Sequence, residues 1–286
     1  GLINLATVII LATNFRLILE NIFKYGILVR PYLGFWLQFS LWKEYPVLFV
    51  IPVEFANPLS TYLLELLVIK RPGFLPYLPW AHSFSICFWF SIASALLWEG
   101  GKDGGNIVFG LILHVINVVQ VLKLVSYVHT NADLRKGGSD AEGSAKLMIE
   151  QYPGNINLTN MAYFMLVPTL CYQPTYPRTK RIRKHWLLRR VAEFVISVAV
   201  MMFLVDQYID PTISNTLDIG AKRNLSIQTI MSMGPRILKL SIPTLYCWLV
   251  LFYAFFHAWL NILAELLYFG DREFYKVVHP SVYLRS

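Results

Sequence analysis

Apolar runs about as long as a bilayer is thick recur along this chain, and they restrict its fold more than any other feature. A hydrocarbon core is crossed by roughly 20 apolar residues as a helix, since no water is there to satisfy an open backbone. Such runs cover residues 2–23, 46–69, 80–98, 106–128, 191–209 and 237–267. With 56% of 286 residues hydrophobic and 15% charged, too little polar surface is left for a soluble domain. The sequence therefore predicts an all-α fold, a polytopic helical membrane protein with about six transmembrane helices. Pro52 and Pro58 interrupt the second run, as spanning helices tolerate when neighbours satisfy the freed groups. In the first, Arg16 and Glu20 stand at i, i+4 and neutralise each other.

Charge gives the orientation. The excess of 25 basic over 17 acidic residues points to loops that hold one membrane face, rather than to nucleic acid. Segment 129–190 carries ten of those 25, which places it in the cytosol together with the C-terminal tail. Four segments follow: 1–128 with the N-terminal spans, 129–190 as a cytosolic loop with a basic run, 191–276 with two further spans, and an atypical tail at 277–286. Within the loop, "DLRKGGSDAEGSAK" reads as a mobile polar stretch inside 129–160. "MAYFMLVPTLCY" (161–172) is too short to span and reads as an interfacial helix with its tyrosines at headgroup depth.

Candidate chemistry is sparse. Arg178, Lys180, Arg181, Arg183, Lys184, Arg189 and Arg190 form a run without an acidic residue. It suits anionic headgroups, or a positive rim that attracts a polyanionic substrate. His257, Asn261 and Glu265 stand at i, i+4 and i+8 on one face of the last span. Ionisable groups in a span face a bundle interior or a wet cavity, so they either line a polar tunnel or bond neighbouring helices. His114 is a weaker case of the same kind, and His82, His129, His185 and His279 show no ligand spacing. Cys87, Cys171 and Cys247 are isolated, so neither a metal site nor a disulfide framework is expected. "GGKDGG" is a turn and not a phosphate loop.

"FHAWLNILAELLYFGDREFYK" at the end of the last run resembles the membrane-bound O-acyltransferases, in the branch of the type 1 diacylglycerol and the sterol O-acyltransferases. That branch carries Phe-Tyr-x-Asp-Trp-Trp-Asn after this helix, and Phe274, Tyr275 and Lys276 fill its first three places. "NFRLILENIFKYGILV", "LKLVSYVHTN" and "PTLCYQPTYPRTKRIRKHWLLRR" are similar to the diacylglycerol enzymes in particular. The resemblance implies a larger helical bundle in the endoplasmic reticulum membrane that makes triacylglycerol from acyl-CoA and diacylglycerol. It implies homo-oligomers, no cofactor beyond acyl-CoA as substrate, no metal and no nucleic acid. Phe274, Tyr275, His257, Asn261, Glu265, Arg178, Arg181, Arg183 and Lys184 are then the candidate substrate-binding residues. The family's catalytic histidine falls in a later helix, past the end of this chain, so no catalytic residue is assigned.

Where the motif continues with Asp-Trp-Trp-Asn, this chain reads Val277, Val278, His279 and Pro280. Valine codons begin with GT, as introns do, so "VVHPSVYLRS" reads as a break in the gene's translation. The opening on Gly1 inside an apolar run reads as a missing N-terminus. The alternatives are a non-catalytic truncated subunit that associates with full-length copies, a sterol O-acyltransferase and, more remotely, a lipid transporter or channel. The orientation itself is testable. Asn224-Leu225-Ser226 should be glycosylated in microsomes and Asn157-Leu158-Thr159 should not, while protease added outside should cut within 129–160. A glycan on Asn157 would reverse the topology.

Overall fold

The computed structural model describes residues 19, 22, 23, 26, 49–102, 107–137, 151–214 and 227–272, with no side-chain detail for 101–109, 227–233, 235, 236 or 239. The elements among them are helical, apart from one isolated antiparallel bridge between Arg178 and Phe269. The chain divides into two compact units, one formed by Gly1–Pro31 and Arg183–Ile262, the other by Tyr32–Ile182 and Leu263–Ser286.

The second unit is built on α1 (Val50–Lys70), α2 (Leu78–Lys102) and α3 (Ile107–Lys136), with the shorter α4 (Leu158–Leu166) packed beside them. Helix α1 stops at Lys70 because Pro72 forces Arg71 into an extended conformation, and a 3-10 turn (Pro72–Tyr77) follows. Its buried stripe is polar: Glu54, Asn57, Thr61 and Glu65 point inward, while Phe55, Leu59 and Leu63 are exposed. That is the reverse of a helix in water, and it is what an apolar solvent demands. Polar contacts join the three helices, with Ser60 against Ser85 at 2.8 Å and Gln120 donating to the Glu54 carbonyl at 2.6 Å.

Helix α3 runs on to Lys136, so residues 129–136 are helical and not part of the polar loop that composition suggested. Its inward stripe of Leu124, Tyr127, Asn131 and Leu134 keeps helical spacing, whereas Asp133 and Lys136 are exposed. Gly137 ends it at a positive φ of 60°, the left-handed cap that glycine adopts without strain.

One buried lysine fastens α4. Lys123, 5% exposed, donates to the carbonyls of Phe164 and Met165 at 2.9 Å and of Val167 at 2.6 Å. An ammonium has three donors, and the last turn of a helix has unpaired carbonyls bearing partial negative charge, so the two match. Met161, Phe164 and Val167 are thereby held in the same core as Leu124, Tyr127 and Phe269. Tyr172 joins them. Its hydroxyl donates to Asn160 at 2.9 Å and accepts from Asn155 at 3.1 Å. Expected at headgroup depth, Tyr172 is a protein-core residue, because Asn155, Asn160 and the Ser126 hydroxyl supply its polar partners. Burial pushes its phenol up to about 12 and raises Tyr176 as well, so both keep their protons at neutral pH.

In the first unit, α5 (Lys184–Leu204) continues into a π-helical turn (Val205–Ile209), in which Gln207 donates to the Gly26 carbonyl at 2.9 Å. It packs on α6 (Ile227–Phe252) and on a second π-helical stretch, Tyr253–Trp259. After that stretch comes α7 (Leu260–Leu266), and the division between the units falls within it. Three helical stretches among the described residues are long and apolar enough to cross a membrane: Pro72–Gly100, Gly110–Lys136 and Leu240–Leu266. Runs 46–69 and 191–209 are helical over their described residues but are not among these three. Run 2–23 lies almost wholly outside the described residues.

Lys123→Met should strand three carbonyls and cost about 3 kcal/mol or more. Lys136→Met, at an exposed site, should cost about 0.5 kcal/mol or less. Denaturant unfolding in detergent micelles compares the two, and equal midpoints would remove Lys123 from this role.

Candidate functional site

The residues singled out from the sequence fall into separate settings. His257 sits in the π-helical stretch, an insertion of helix geometry that recurs at functional sites. Its Nε2 lies 2.8 Å from Arg190 Nη1. A guanidinium only donates, so Nε2 accepts and the imidazole carries its proton on Nδ1. The ring stacks on Tyr253 with centroids 5.0 Å apart, and the Tyr253 hydroxyl donates to Glu193 at 3.0 Å. Glu193 also accepts from Arg189 at 3.1 Å and from Arg190 at 2.6 Å. A cluster of His257, Tyr253, Glu193 and Arg190 results, half of which, Glu193 and Arg190, lies on α5 and off the last span. Asn261 donates to the His257 carbonyl at 2.7 Å, one turn along.

Glu265 belongs to the other unit. Fully buried, it accepts from Arg272, whose Nε donates to the Phe269 carbonyl at 3.0 Å. Two backbone bonds close this helix end, Phe269 N–H to Ala264 at 2.8 Å and Tyr268 N–H to Glu265 at 3.3 Å. This is a Schellman arrangement in which Tyr268, at φ 56°, takes the place usually given to glycine, while Phe269 and Ala264 supply its apolar contact. Gly270 N–H then donates to the Pro177 carbonyl, and Thr179 N–H to Tyr268, at 2.8 and 2.9 Å. A Cβ on Gly270 would lie 2.9 Å from the Pro177 oxygen, so glycine is required by that approach. Phe274 and Tyr275 lie outside the described residues.

The basic run is exposed. Arg178 rests over the Tyr163 ring at 4.6 Å and Arg183 over Trp186 at 4.7 Å. Arg181 and Lys184 extend into the surroundings. Among the described residues Arg189 and Arg190 meet Glu193, which stands one turn past the end of the run. A second buried ionic group was not legible in the sequence: Glu65 bonds His82 at 3.0 Å and also Arg135, although His82 shows no motif spacing. Among the described residues no group of three His, Cys, Asp or Glu side chains could hold a metal ion.

Apolar outer faces over inward carboxylates, arginines and histidines define a helical protein of the membrane. No protein-family profile matches the chain. Curated relatives do. It is 40% identical to diacylglycerol O-acyltransferase 1B of Glycine max over 281 residues, which is 96% of this chain and 53% of that protein. Diacylglycerol O-acyltransferase 1 of Arabidopsis thaliana is 39% identical over 276 residues, and that of Dictyostelium discoideum 33% over 287. Along 96% of its length, then, this chain is a homologue of the diacylglycerol O-acyltransferase 1 proteins, and it spans about half the length of those relatives.

The two arginine pairs differ in burial, and burial sets their worth. Arg272→Met leaves Glu265 buried and uncompensated, which costs about 3–5 kcal/mol. Arg190→Met leaves Glu193 with Arg189 and partial hydration, and should cost about 1 kcal/mol. Thermal unfolding of the purified variants should rank them in that order, and the reverse ranking would contradict it.

Proposed function

We propose that this chain belongs to an acyl-CoA-dependent O-acyltransferase that makes triacylglycerol from diacylglycerol in the membrane. The observation that carries the proposal is 40% identity spread over 96% of the chain, rather than confined to one motif. On this reading the protein sits in the endoplasmic reticulum membrane, crosses it about six times and associates with copies of itself. Acyl transfer from a thioester to an alcohol needs no outside energy source. It needs a base at the hydroxyl, donors for the developing oxyanion and a chamber poor in water. The exposed Arg181, Arg183 and Lys184 meet the phosphates of acyl-CoA at the cytosolic face, whereas diacylglycerol arrives laterally from lipid. His257 and Asn261 contribute to the inner polar wall. Held by Arg190, His257 is fixed in orientation.

The test uses microsomes from cells without triacylglycerol synthesis, given labelled oleoyl-CoA and diacylglycerol. The chain, completed with the remaining part of the soybean relative, should form labelled triacylglycerol. A well-expressed completed chain that forms none refutes the proposal, and labelled sterol ester in its place would assign it to the sterol branch. In the completed chain, changing Arg181 and Arg183 to Gln should raise the KM for acyl-CoA about threefold to tenfold at low salt. The difference should shrink above physiological ionic strength, where exposed charges are screened beyond roughly 8 Å. An unchanged KM would limit the run to anchoring.

A further inference from the structure

Between α4 and the segment after it lies a cavity of about 280 Å³, lined by Asn157, Thr159, Asn160, Tyr163, Pro174, Thr175, Tyr176 and Arg178. Its wall carries hydroxyls, amides and one guanidinium but no carboxylate. Most of these polar ends are already committed. Asn160 donates to the Pro174 carbonyl at 2.7 Å and accepts from Tyr172, Tyr163 donates to the Leu267 carbonyl at 3.1 Å, and Tyr176 donates to the Cys171 carbonyl at 3.0 Å. Those bonds set the shape of the wall. Thr159 and Thr175 form no hydrogen bond among the described residues, and both are exposed. Stacking over Tyr163 limits the swing of the Arg178 side chain, and the bridge to Phe269 fixes its backbone.

A fixed guanidinium and two hydroxyls with no internal partner, in a wall without negative charge, select a small oxyanion with several acceptors. We infer that this cavity is a binding site for a phosphate ester, with Arg178 as its charged fork and Thr159 and Thr175 as hydroxyl donors. Guanidinium matches phosphate through paired N–H donors, which a lysine at the same place does not reproduce. The phosphate comes either from a phospholipid headgroup or from the nucleotide end of coenzyme A. Only the second source rests on the acyltransferase reading.

The test is binding without turnover. The full chain, in dodecyl maltoside micelles that carry no phosphate, is titrated by calorimetry with dioctanoyl phosphatidic acid and, separately, with adenosine 3′,5′-bisphosphate. At least one should bind saturably, one per chain. Arg178→Gln should weaken that probe about tenfold or more, as expected for loss of a charge-assisted hydrogen bond. Arg178→Lys should restore only part. Should Arg178→Gln unfold the protein, the Thr159→Val, Thr175→Val double variant takes its place and should weaken binding severalfold with an unchanged unfolding midpoint. Binding of the lipid alone identifies a headgroup site, and binding of the nucleotide alone a coenzyme A site. Failure of both probes, or binding that no variant alters, overturns the inference. Failure of triacylglycerol synthesis with the lipid still bound would leave this site standing and remove only the enzyme reading.

Discussion

A buried ammonium surrounded by carbonyl oxygens fixes the larger of the described packings. Among the described residues Lys123 meets carbonyls and no carboxylate. Its charge is met by the carbonyls of Phe164, Met165 and Val167, which an isolated α4 would leave unpaired at its C-terminal end. Each side cures the other's defect. A charge in an apolar setting is costly alone, and so are three stranded carbonyls, but together they form a satisfied group. From that fixed point the chain proceeds to Tyr172, Tyr176 and Arg178, so the placement of the first residues of the basic run depends on it.

The same logic extends to α1, α2 and α3. In lipid the hydrophobic effect does not distinguish one apolar helix face from another, so polar contacts and close fit decide the pairing. Glu65 is the shared node, bonded to His82 from α2 and to Arg135 from α3. Losing either partner leaves a carboxylate buried in a medium that penalises it, which makes the arrangement selective even where its net stabilisation is small. The His257, Tyr253, Glu193 and Arg190 cluster follows the same pattern at a more exposed place, with weaker energies for that reason.

How much of this was legible depends on the range of the interaction. Hydropathy located Pro72–Gly100, Gly110–Lys136 and Leu240–Leu266 to within a few residues at most boundaries, because bilayer-crossing length is a local property. It ended α3 too early because His129, Asp133, Arg135 and Lys136 read as loop, although Asn131 and Leu134 continue the inward stripe. Tyr172 was read by composition alone, which does not disclose that Asn155 and Asn160 stand ready to bond it. Glu193 lies outside the basic run, three residues past Arg190. Helical spacing was the signal that would have found it.

By itself the sequence determined that this chain is helical, that it is made for an apolar solvent, and that its relatives are O-acyltransferases. Solvent preference and ancestry are both written residue by residue. Tertiary structure alone decided that Lys123 caps α4, that Glu65 joins three helices, that Glu265 answers Arg272 and that Arg178 borders a polar cavity. Those pairings unite residues up to 70 positions apart, between Glu65 and Arg135. No local pattern encodes such a partner, since a buried charge states only that it needs one, and packing determines which.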